Sequence, residues 1–205
     1  MSRDSFNWTT WLLWANMAMG ALSILTQSWQ VALISRIGED RAPERSALEF
    51  SDRLVTLSSV LNLLTLLVTA VVFLVWYHAA VSRLKAAGQS VSVTPGWAVG
   101  MWFVPVISLW RPFQIVREAA QPAEAGVSTL RGWWACWLIG NWASRAASRI
   151  PGTSLANLQT ALFISIGSDV LSIVAAYLLS LIVRGIQARL DALPPVPQGS
   201  SYAQV

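Results

Sequence analysis

Long uncharged stretches alternate with short charged clusters along this chain. Residues 5–35 and 54–82 contain no Asp, Glu, Lys or Arg, and residues 150–183 contain only Asp169. A helix rises 1.5 Å per residue, so about 20 apolar residues cross a hydrocarbon core of about 30 Å. All three runs are long enough to cross. The first predicts a helix over Trp11 to Ile34. Trp8, Trp11 and Trp14 stand at one end of it and Trp29 near the other, where indole rings favour a membrane interface. The second predicts a helix from Asp52 or Arg53 to about Lys85, capped by Ser51 or Asp52 and stopped at Gly88, with Trp76 and Tyr77 at its far interface.

Two further runs are shorter. Trp97 to Trp110 is apolar but interrupted by Pro105 and followed at once by Arg111-Pro112. Proline removes a helix hydrogen bond and clashes with the preceding turn. The stretch predicts a broken or re-entrant helix, which lipid tolerates only where it is packed in protein or lines a cavity. Pro112 then opens a more polar helix to about Ala120. The other run, Gly132 to Ser144, extends through snorkelling Arg145 and Arg149. A helix from Arg131 to Arg149 measures about 28 Å, just enough to cross.

The fold class expected is all-α: a polytopic transmembrane helix bundle of four spans plus one broken or re-entrant segment, with five full spans as the alternative. It forms one domain over residues 1–190. Residues 36–53 read as a solvated connector or short surface helix with Pro43 in its first turn. Residues 191–205, rich in Pro, Ser and Gln, read as a disordered polar tail.

Composition strengthens this reading. Charged residues are 12% of the chain, about half the share usual in soluble domains, and mean hydropathy is +0.52. The start, Met1-Ser2-Arg3-Asp4 before a long apolar stretch, reads as a retained first span rather than a secretory signal. With four spans, the side holding the N-terminus carries eight cations and the other six. The positive-inside rule then puts both termini in the cytoplasm. With five spans the counts become five and nine, and the N-terminus faces out.

The net charge of +4 comes with no basic stripe, so nucleic acid is not an expected partner. One cysteine, Cys136, excludes an intramolecular disulfide, and with a single histidine, His78, this chain alone cannot build a three-ligand His/Cys metal site. There is no Walker-type phosphate loop, HExxH or GxSxG. No cofactor is expected, and an enzyme is the less favoured reading.

The stretch Thr94-Pro95-Gly96-Trp97-Ala98-Val99-Gly100-Met101-Trp102-Phe103-Val104-Pro105-Val106-Ile107-Ser108-Leu109-Trp110-Arg111-Pro112-Phe113-Gln114 resembles the signature of a bacterial membrane family, domain of unknown function 4328 (DUF4328). Trp76-Tyr77 through Arg83-Leu84 to Gly88, and Gly132-Trp133-Trp134, also fit it. The resemblance covers Val71 to Ala143. His78 stands where the family tends to carry Tyr or Arg, and Ser108 where it often has Asn, so no role tied to those side chains carries over. The resemblance implies a bacterial cytoplasmic-membrane protein and brings no reaction with it.

Several residues are candidates for chemistry. Asp169 lies inside the last apolar run, where an ionised carboxylate costs several kcal/mol unless paired or wet. It reads as an internal ion pair, with Arg145 the first partner and Arg111 the second, or as a proton or cation site. The segment with Trp102, Pro105, Trp110, Arg111 and Pro112 reads as a packing device, or as a grip for an anionic head group. Gly96 and Gly100 form a small-xxx-small pair that permits close helix contact. His78 is an interfacial histidine with a conceivable pH response. Trp133, Trp134 and Trp137 share one helical face, either a packing patch or a stacking platform, and Cys136 reads as a buried small apolar residue.

The leading functional expectation is a non-catalytic bundle serving as a subunit or accessory of a larger membrane assembly, in contact with lipid and with protein partners or its own copies. The alternative is a small transporter or channel using Asp169 and the broken segment. The third is a lipid-binding or lipid-modifying protein.

Overall fold

A computed structural model describes residues 3–38, 44–121 and 124–194. They form six α-helices: α1 (Arg3–Gly38), α2 (Arg45–Ala86), α3 (Pro95–Gly100), α4 (Arg111–Ala120), α5 (Glu124–Ala147) and α6 (Leu155–Asp191). A single 3-10 turn, Ile107–Leu109, precedes α4. The described residues include no strand.

Four of the helices are long. Three are long and apolar enough to cross a membrane, over Ser5–Arg36, Arg45–Ala86 and Leu155–Asp191. With 24 residues, α5 extends about 36 Å and is less apolar, carrying Arg131, Asn141 and Arg145.

Local chemistry sets most of the boundaries. Gly88, at φ +73°, ends α2 with both bonds of a Schellman motif: its own N–H donates to Lys85 O at 2.9 Å and that of Gln89 to Leu84 O at 3.0 Å. Thr94 caps α3, its hydroxyl accepting Trp97 N–H at 3.3 Å, and Pro95 occupies the first turn. Ser154 caps α6 through Asn157 N–H at 3.2 Å.

One boundary differs from the sequence expectation. Helix α2 begins at Arg45, upstream of the expected Asp52 or Arg53, and Ser51 is a buried residue within it rather than a cap. The apolar run gives the part of the helix that can lie in lipid, and the helix extends beyond it through Arg45 to Arg53. Pro43 and the expected disordered tail from residue 195 onward lie outside the described residues.

The long helices pack as a row, α2–α1–α6–α5. Short elements close one end of the row: α3 rests on α2, while α4 touches α5, α6 and α2. The core gathers at that end, around Trp76, Tyr77, Leu84, Met101, Ile115, Trp133, Val183 and Leu190. Toward its other end α2 lies beside α1 and exposes apolar side chains around most of its circumference, Leu57, Leu63, Leu64, Leu67 and Val71 among them.

Glycines admit the closest approaches along the row. A Cβ on Gly20 would lie 2.9 Å from Ile173 Cγ1, and one on Gly140 would meet Leu171 at 3.4 Å and Ser168 O at 3.5 Å. The expected pair Gly96 and Gly100 makes no such contact. Nothing lies within 4 Å of a Cβ at Gly96, and Gly100 faces only Trp97 of its own turn. With six residues, α3 is too short to lay a glycine stripe along a second helix.

Candidate functional site

Two regions gather the polar and aromatic groups that could act. The first is the broken segment between α2 and α5. After α3 the chain is irregular through Val106, makes its 3-10 turn and enters α4 at Arg111-Pro112, as the two prolines predict. Its two ends meet. Glu118 accepts hydrogen bonds from Ser92 N–H at 2.9 Å and Ser92 Oγ at 3.0 Å. Arg189 of α6 donates to Ala119 O at 2.7 Å, Glu118 O at 3.2 Å and Gln89 Oε1 at 2.6 Å. Lys85 Nζ donates to Val93 O at 3.1 Å. The segment therefore leaves and rejoins the bundle at the same end. The guanidinium also satisfies carbonyls that the C-terminus of α4 leaves without helical partners.

Between those ends the segment reaches inward. The Trp102 ring centroid is 5.8 Å from that of Phe73 and 6.2 Å from those of Trp134 and Trp137. Trp134 stacks on Trp137 at 5.0 Å, and its Nε1 donates to Leu109 O at 3.0 Å. The shared face of Trp133, Trp134 and Trp137 is thus a packing surface filled by Trp102, with Cys136 and Phe113 against the same core. Trp76 Nε1 donates to Gln187 Oε1 at 3.2 Å, tying α2 to α6. The hydroxyl of Tyr77 and Nε1 of Trp102 are buried without a hydrogen-bond partner.

Strain is concentrated at the tip. Val106 has φ +70° and ψ −59°, and Ile107 N–H donates across it to Pro105 O at 2.8 Å, closing a γ-turn. A β-branched residue at positive φ costs of order 1–3 kcal/mol. Pro105, Val106 and Trp110 are exposed, Pro112 is buried, and Arg111 donates to Gln114 Oε1 at 2.9 Å.

The second region is a polar seam in the other half of the row. Gln27 of α1 is 5% exposed. Its Nε2 donates to Ser23 Oγ at 2.8 Å and to Asp169 Oδ2 at 2.7 Å. The Gln27 Oε1 is buried and has no partner. Alongside, Thr26 Oγ1 and Ser58 Oγ lie 3.1 Å apart across α1 and α2, Asn16 donates to Thr69, and Ser168 Oγ donates to Gly140 O at 2.9 Å across α6 and α5.

The expected ion pairs do not form among the described residues. Helices α5 and α6 do pack as a hairpin, but the Ser168–Gly140 bond aligns Asp169 with Gly140, and Arg145 lies farther along α5 and is exposed. Arg111 stands with the broken segment, on Gln114. The partner of Asp169 comes from α1 instead. Gln27 is 142 residues away in sequence, and neutral residues in an apolar helix gave no charge signal to find it by. His78 is exposed on α2. Among the described residues no group of three or more His, Cys, Asp and Glu is placed to hold a metal ion.

An all-helical chain with three apolar helices long enough to cross a membrane, rich in exposed aliphatic side chains, defines a helical membrane-type protein. The family model described as "Domain of unknown function (DUF4328)" matches residues 39–188, and the chain belongs to that family. The match extends well beyond the Val71–Ala143 stretch that carries the resemblance in the sequence. No curated protein and no solved structure matches the chain.

Proposed function

We propose that this protein is a multi-pass subunit of a larger membrane assembly in a bacterial cytoplasmic membrane, without a catalytic set of its own. It forms one membrane domain over residues 1–190. Helices α1, α2, α5 and α6 are its four spans, and residues 92–118 form a re-entrant segment. Support for that topology comes from the meeting of Ser92 with Glu118 and of Gln89 with Arg189. The end where they meet carries eight of the cations, Arg3, Arg83, Lys85, Arg111, Arg117, Arg131, Arg184 and Arg189. By the positive-inside rule it is the cytoplasmic end, and it holds both termini.

One observation carries the assembly reading. Asn62 is half-buried within the uncharged run of α2, on the stripe with Ser58, Thr65 and Thr69 that borders α1, and its amide makes no hydrogen bond among the described residues. A polar amide at membrane depth is costly without a partner, and a polar group on another helix can satisfy it. An amide both donates and accepts, so Asn62 of a second copy across a two-fold axis is a sufficient partner. A separate face of α2, with Leu57, Leu61, Leu64 and Val68 exposed, is open to apolar contact with a further helix.

Native mass spectrometry of the gently solubilised chain tests this. A dimer or a larger complex that dissociates in Asn62→Leu is the expected result. A monomer at every detergent ratio, with no co-purifying protein, would overturn the reading.

A further inference from the structure

We infer that Asp169, with Ser23 and Gln27, forms a proton-binding site at the seam between α1 and α6. This goes beyond the assembly reading and stands on different residues.

Asp169 is far from either end of its helix, about 21 Å from Leu155 and about 33 Å from Asp191 at 1.5 Å per residue. Its hydrogen-bond partner is neutral, Gln27 Nε2 at 2.7 Å, and the same amide donates to Ser23 Oγ at 2.8 Å. No cation pairs with it among the described residues. Gly140 of α5 lies alongside at the Ser168 contact. Among titratable groups on the packed elements, Asp52 of α2 is held by Gln30, one turn beyond Gln27 on α1; on α5, half-buried Cys136 lies one turn from Gly140 and Arg145 is exposed. The carboxylate thus has a hydrogen bond but no counter-charge.

The amide beside it can offer a hydrogen bond to either protonation state. As placed, Gln27 turns its NH2 to the carboxylate and to Ser23, while its Oε1 is buried and unpartnered. The two ends of a glutamine amide have nearly the same shape. Turning the amide over brings Oε1 to the position of Nε2. There it accepts an O–H from a protonated Asp169 and the hydroxyl hydrogen of Ser23. One orientation suits the charged form and the other the neutral form, the second at the cost of turning the NH2 into the position where Oε1 is buried without a partner. An arginine in the place of Gln27 would hold only the anion. Thr26, the neighbour of Gln27, bonds Ser58 of α2, so the site also adjoins the α1–α2 seam.

The test is infrared spectroscopy of the full-length chain, labelled with 13C-aspartate, in lipid nanodiscs. The expected result is a protonated-carboxyl C=O band that grows reversibly as pH falls, is absent in Asp169→Asn, and moves to higher frequency in Gln27→Leu as its acceptor is lost. Replacing sodium by choline leaves the band unchanged. No aspartic acid band at any pH where the chain is folded would overturn the proposal, leaving a fixed polar staple. A band insensitive to Gln27→Leu would overturn the role of the amide, and one that depends on sodium would make the ligand a metal cation. If Asp169→Asn fails to fold, the shift in Gln27→Leu assigns the band.

Discussion

The two halves of the helix row are held together in different ways. At the end closed by α3 and α4, apolar and aromatic side chains fill the space between helices, and Trp76, Tyr77, Leu84, Trp133 and Val183 are almost wholly buried. In the other half, α1 meets α2 and α6 through hydroxyls and amides, Thr26 on Ser58 and Gln27 on Asp169, while most of α2 is exposed. The closed end is built like the interior of a soluble domain. The open half is built like a membrane helix pair, where lipid competes equally for apolar surface and polar contacts supply the specificity. Cohesion at one end and adaptability at the other follow from that division.

Substitutions at the two ends should separate these modes. The largest loss is expected from Trp133→Ala, which removes an almost wholly buried indole from the aromatic core and should cost about 3–5 kcal/mol. Unfolding in detergent, followed by steric trapping, would measure it; a cost under 1 kcal/mol would show the closed end to be loosely packed after all. Next comes Arg189→Ala. It leaves the carbonyls of Glu118 and Ala119 without their charged donor and should cost about 1.5–3 kcal/mol. The loss should appear as faster hydrogen exchange in α4 with α1 unaffected, and uniform exchange would mean that the arginine is not a local pin. The smallest effect belongs to the open half. Thr26→Val removes one interhelical hydrogen bond and should cost about 0.6 kcal/mol. A cost as large as that of Trp133→Ala would erase the distinction between the halves.

The sequence made the closed end easier to read than the open one. Pro105 and Pro112 broke the apolar run where the chain does break, Gly88 ended α2, and the i, i+4 spacing of Trp133 and Trp137 placed both rings on the packed face. These are local signals, each contained within a turn or two. The partner of Asp169 was not legible, because Gln27 lies in a different helix and helix order is not encoded in apolar runs. The mismatch at Gly96 and Gly100 has the same origin. A small-residue spacing is meaningful only on a helix long enough to lie along another, while Gly20 and Gly140, on long helices, make the close contacts. The start of α2 was missed because hydropathy marks where lipid is, and a helix can run on into water.

The bridge from Arg189 to the end of α4 also orders events in time. The guanidinium that holds Ala119 O is encoded 70 residues after it. While the chain is being made, α5 and nearly all of α6 must emerge before that bond can form. Residues 92–118 are therefore synthesised well before their anchor. Maturation of the closed end is tied to completion of the last helix: a chain interrupted before residue 189 can form the Ser92–Glu118 and Trp134–Leu109 bonds of its inward-reaching segment but lacks the tie to α6.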